Sequence, residues 1–212
     1  METHFSIHMS GFRFLRNVLL VSIAGLIPPL ALFVFLSPGF STALSQGGPA
    51  LVRFLRQVLT NGLPVVFAIN YVGFFLYALS KQTERRGDPV SLVAIDVLAR
   101  LSLFFCLHAL IYVLSADWYG SFGGDRMTAI SVVAPTLARS AYFENVSGVY
   151  FYATFVSAMP LYVTAIKQSK MFRKAVEPLP FVAGPFILAA AMFAATAVLI
   201  TILAQAILRI QG

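Results

Sequence analysis

Residues Pro185–Leu208 read Pro185-Phe-Ile-Leu-Ala-Ala-Ala-Met-Phe-Ala-Ala-Thr-Ala-Val-Leu-Ile-Thr-Ile-Leu-Ala-Gln-Ala-Ile-Leu208, with no charged side chain anywhere in the stretch. At about 1.5 Å of rise per residue, a helix of this length covers the roughly 30 Å of a bilayer's hydrocarbon core. Lipid offers no partner to backbone N–H and C=O groups, so a run like this survives there only by bonding to itself as a helix. Four further runs have the same character: Val18–Leu36, Gly62–Leu79, Val90–Leu114 and Val146–Ile166. The reading is an all-α polytopic membrane bundle of about five transmembrane helices. It forms a single integral membrane domain over residues 1–212, with one or two short interfacial helices.

Composition points the same way. Of 212 residues, 59% are hydrophobic and 11% charged, against about 25% charged in ordinary soluble domains. So few charges cannot cover a soluble surface. The formal net charge of +7 would suggest nucleic acid in a soluble protein. Here the basic residues cluster at the ends of apolar runs, which fits membrane orientation and anionic headgroups. The expected partners are therefore the lipid bilayer and other membrane subunits, and no nucleic acid. Val18–Leu36 is preceded by Arg13 and Arg16, but exceeds the 7–15-residue core of a signal peptide. It is read as a span.

An N-inside arrangement puts Arg13, Arg16, Lys81, Arg85, Arg86, Lys167, Lys170, Arg173 and Lys174 on the inner side. Arg53, Arg56, Arg126, Arg139 and Arg209 then lie outside. The positive-inside bias favours N-terminus inside and C-terminus outside, in a bacterial inner membrane or an organellar equivalent. On the outer side, Leu51–Leu59 segregates Arg53, Arg56 and Gln57 from Leu51, Leu55, Val58 and Leu59, the pattern of a helix lying on the membrane. Met127–Tyr142 is similar, with Pro135 limiting its regularity. The outer loop that carries Asp117, Trp118, Tyr119, Asp125 and Arg126 is the candidate surface for an extramembrane partner.

Small residues four apart, Ala190/Ala194, Ala191/Ala195 and Ala153/Ser157, predict close helix contacts. Pro28, Pro29 and Pro160 lie inside predicted spans, where a bundle can satisfy the freed carbonyls. No internal repeat marks the chain as a repeat-built transporter. The one cysteine, Cys106, sits in an apolar run and reads as a small buried hydrophobe.

Asp96 and Arg100 interrupt the third apolar run. Four residues apart, they share a helix face and can pair. Intramembrane charges are costly and face the bundle interior or water. The structural reading, a neutralised pair that locks this helix to a neighbour, is preferred to an ion relay, with Asn70 the expected polar partner. His108, deeper on the same helix, is a potential ligand for haem iron or chlorophyll magnesium. The plainer reading, a hydrogen-bonded packing histidine, is preferred to that one. His4, His8 and Glu2 supply only two strong ligands at a chain terminus, so no metal is expected. No Walker loop, dinucleotide fingerprint or Gly-x-Ser-x-Gly elbow occurs, and no catalytic set is expected.

These features favour a non-catalytic accessory, assembly or scaffold subunit of a larger membrane complex, respiratory or photosynthetic. The alternatives are a small transporter or channel that uses Asp96 and Arg100, and a pigment- or haem-binding subunit that uses His108. Bound lipids are the expected cofactors in the first case, and chlorophyll-type pigment or haem in the last.

Overall fold

The computed structural model describes residues 3–36, 38–83, 91–103, 106, 124–128, 131–132, 141–178 and 183–210. Among these every regular element is a helix, and no strand occurs. Helix α1 (Gly11–Leu36) starts ahead of its apolar run. Ser10 caps it, accepting a hydrogen bond from the Arg13 backbone N–H at 3.4 Å, which satisfies one of the first-turn donors that have no partner within the helix. Pro28 and Pro29 are accommodated within α1.

A short α2 (Pro38–Ser45) leads to a turn at Gly47 and Gly48, with φ of 71° and 65°. Residues with a Cβ avoid that region, so two glycines here let the chain turn into α3 (Gly48–Gln57). Helix α3 overlaps the segment Leu51–Leu59, read from the sequence as an interfacial helix. On its predicted apolar face Leu51, Leu55 and Leu59 are exposed and Val58 is half-buried, while Arg56 on the predicted polar face is exposed too. A π-helical turn (Val58–Gly62) feeds α3 into α4 (Leu63–Thr83). Helix α5 covers residues 91–103. A single turn at Arg126–Thr128 precedes α6 (Ala141–Gln168), which continues through Pro160. A short α7 (Lys170–Val176) connects to α8 (Gly184–Ile210).

Helix α4 lies at the centre, packed chiefly on α6 and α1, and α6 also meets α8 and α1. The main core joins Val18 of α1, Phe74, Tyr77 and Ala78 of α4, Leu161, Tyr162 and Ala165 of α6, and Ala189 and Phe193 of α8. A smaller cluster of Leu26, Val66, Ile69 and Ala153 lies further along the same helices. Polar hydroxyls within helices are absorbed locally: Ser22, Thr154, Ser157, Thr164 and Thr196 each donate to the carbonyl four residues earlier.

Two helices, Gly11–Leu36 and Leu63–Lys81, are long and apolar enough to cross a membrane, and Gly184–Leu199 is a shorter apolar segment. In its apolar window α1 is only 18% buried, against 50% for α4. The outward face of α1 carries Phe12, Leu20, Ile27 and Phe35, with Phe35 80% exposed. A soluble core helix would be covered on that face.

Several expectations change. Tyr142, read as part of an interfacial segment, belongs to α6, because the helix begins at Ala141. Of the paired alanines of α8, Ala191, Ala194 and Ala195 are exposed and Ala190 is half-buried, while Ala189 and Phe193 are among the buried residues. Small side chains permit a close approach without fixing which neighbour makes it. Cys106, expected to be buried, is exposed. Apolar surroundings in the sequence do not distinguish a side chain facing the bundle from one facing lipid.

Candidate functional site

Helix α5 buries Val93, Asp96 and Arg100, with Asp96 fully covered and Arg100 9% exposed, while Ile95 and Leu98 point outward. Spacings of three and four residues place the inward trio on one face. The charges are inside, beside Val93, while Ile95 and Leu98 are outside, a placement of charge that is the reverse of a soluble helix. The Arg100 Nε–H is shared between both carboxylate oxygens of Asp96, at 2.9 and 2.8 Å. The guanidinium then reaches a second helix, where Nη1 donates to Ser157 Oγ at 3.1 Å. Ser157 is free to accept, because its own hydrogen goes to the Ala153 carbonyl at 2.8 Å. The intrahelical ion pair is thus tied to α6.

Gly73 of α4 completes this contact. A Cβ there would come within 2.6 Å of Arg100 Nη2, 2.6 Å of the Ser157 carbonyl oxygen and 2.7 Å of the Ser157 Cβ. Only a residue without a side chain lets α4, α5 and α6 converge at this level.

One turn earlier on α4, Asn70 makes the corresponding link to α1. Its Nδ2 donates to Ser22 Oγ at 2.9 Å, and Ser22 donates to the Val18 carbonyl at 2.8 Å. Both links have one logic: a serine spends its hydrogen on its own helix and accepts from a polar side chain on the next. Two atoms of the cluster, Asn70 Oδ1 and Arg100 Nη2, are buried without a hydrogen-bond partner among the described residues. A buried group left unsatisfied typically costs about 1–3 kcal/mol, more for a charged one.

The expected pairing of Asp96 with Arg100 is therefore present, but the cross-helix partner is Ser157; Asn70 bonds Ser22 instead. Ser157 carried a sequence signal only as a member of a small-residue pair, and Gly73 carried none. Of the proposed outer surface, Asp125 is exposed and accepts from the Thr128 backbone N–H at 2.9 Å and from Thr128 Oγ1 at 3.1 Å. It acts there as the cap of a short turn, and Arg126 opens that turn. His108, Asp117, Trp118 and Tyr119 lie outside the described residues. Among the described residues no three His, Cys, Asp or Glu side chains gather as metal ligands.

A second feature had no sequence signal. Residues 3–10 fold back against the bundle, and Phe5 is 3% exposed. Its ring stacks on Phe74 at 4.2 Å and meets Phe14 edge-on at 5.8 Å. The segment is held by Asn17 Nδ2, which donates to the His4 carbonyl at 2.8 Å. Phe5 shares one core with Val93, Leu161 and Tyr162.

Comparison with protein-family models, with curated proteins and with solved structures finds no match to this chain.

Proposed function

We propose that the chain is a membrane-embedded, non-catalytic accessory, assembly or scaffold subunit of a larger membrane complex, crossing the bilayer five times with its N-terminus inside. The observation that carries this reading is the inverted polarity of the bundle. Its intramembrane charges close on each other and on Ser157, as a helix lock requires. Its outer faces are broad and apolar: Phe12, Leu20, Ile27 and Phe35 on α1, Phe186, Ile187, Val198 and Leu199 on α8. Beside these, α8 presents outward the small residues Ala191, Ala194 and Ala195, which suit close approach by a helix of another subunit. Extraction in mild detergent should yield the chain with stoichiometric partners. A stable, monodisperse lone monomer overturns the reading.

A second reading, a small transporter that uses Asp96 and Arg100, draws on the unpartnered Asn70 Oδ1 and Arg100 Nη2 beside the pair. It requires Asp96→Asn to abolish flux in reconstituted vesicles while the protein still folds. Unchanged flux removes it.

A further inference from the structure

We propose that Asn70 Oδ1 and Arg100 Nη2 together bind a hydroxyl group, of water or of a small neutral alcohol, inside the bundle. The direction of the Asn70 amide is fixed by its neighbour. The Ser22 hydrogen is committed to the Val18 carbonyl, so Ser22 Oγ receives the Asn70 Nδ2–H. That leaves Oδ1 as an acceptor, buried and unpartnered. Arg100 is committed just as firmly: Nε serves Asp96 and Nη1 serves Ser157. Nη2, with its N–H donors, is the buried end that is left.

Asn70 stands on α4, and Arg100 Nη2, reaching over from α5, lies against the same stretch of that helix. Nη2 lies 2.6 Å from where a Gly73 Cβ would stand, and Asn70 precedes Gly73 by three residues. Side chains at that spacing are neighbours, about 5–6 Å apart at Cβ.

The two atoms also define the ligand. One is an acceptor and the other a donor, so a single group serves both only if it donates and accepts, as a hydroxyl does. Asp96 already neutralises Arg100, so an ionic ligand would bring an unmatched charge into an apolar interior. The close approach of Ser157 to Gly73 on the same side restricts the ligand to a small one. The inference does not depend on the scaffold reading, since it needs only the two helices and their buried groups.

The test is an experimental map of the full chain in lipid nanodiscs, at a resolution that shows ordered water. Density is expected within about 2.7–3.2 Å of both atoms. A single-atom feature, with an internal O–H infrared band that shifts in oxygen-18 water, identifies water. An extended feature with no such band, lost on delipidation, identifies an alcohol. In Asn70→Leu the feature should vanish. A direct Asn70–Arg100 hydrogen bond, no density between the atoms, or density that survives Asn70→Leu overturns the proposal. The wild-type map decides the matter even if Asn70→Leu fails to fold.

Discussion

Arg100 touches three helices through one guanidinium. It bonds Asp96 on its own helix, donates to Ser157 on α6, and lies against α4 where Gly73 has no side chain. Removing Asp96 alone would leave a buried cation with no counter-charge. Asp96→Leu is therefore expected to destabilise the bundle by about 3–5 kcal/mol, while Asp96→Leu with Arg100→Leu should be much milder, because the desolvation penalty leaves with the charges. Thermal unfolding of the single and double variants in one detergent reads the difference. Equal losses would show that the pair does not act as a unit. Gly73→Ala tests the other contact. Its methyl group would meet the Ser157 backbone carbonyl at 2.6 Å, and a backbone atom cannot swing away as a side-chain end can. Overpacking of this kind costs about 1–3 kcal/mol, so a melting temperature equal to wild type would show that the helices are not held that closely.

At the scale of elements, legibility followed how far each signal travels along the chain. The helices were readable because apolar length is a local property, and the Asp96–Arg100 pair because a spacing of four is local too. Ser157 and Gly73 were not readable as site residues. A serine or glycine in an apolar helix becomes specific only when another helix arrives, and the sequence does not say which one. The α8 alanines show the same limit from the other side: the small-residue pattern is there, but the packing face is that of Ala189 and Phe193. The N-terminal segment was the least legible element, since the mixed polar and apolar residues before α1 show no periodicity. Phe5 supplies its anchor, wedged between Phe14 and Phe74. Phe5→Ala removes that ring at a cost on the order of 3 kcal/mol, more than a short segment can offset with its remaining contacts. Residues 3–10 should then lose amide-exchange protection while α4 and α6 keep theirs. Unchanged protection at Met9, whose N–H bonds the Ser6 carbonyl, would refute the anchoring role.

At the scale of the whole molecule, helix direction and the placement of charge make a joint prediction about topology. Helices α1 and α4 run antiparallel, since Ser22 meets Asn70 while Leu26 and Val66 share a cluster further along. The start of α1 therefore lies at the same end as the close of α4. Arg13 and Arg16 stand at that end of α1, Lys81 at that end of α4, and Lys167 and Lys170 where α6 gives way to α7. Lysine and arginine are retained on the cytoplasmic side during insertion, so under the five-span reading this end faces inward and the turn between α2 and α3 faces outward. Three exposed positions report on it: His8 before α1, Gln46 between α2 and α3, and Lys174 in α7. With Cys106→Ser as background, Gln46→Cys should react with a membrane-impermeant maleimide in intact cells. His8→Cys and Lys174→Cys should react only after permeabilisation. Labelling of position 8 or 174 in intact cells would reverse the orientation. Labelling of 8 and 46 from the same side would mean that α1 does not cross the bilayer, and the five-span reading would fall with it.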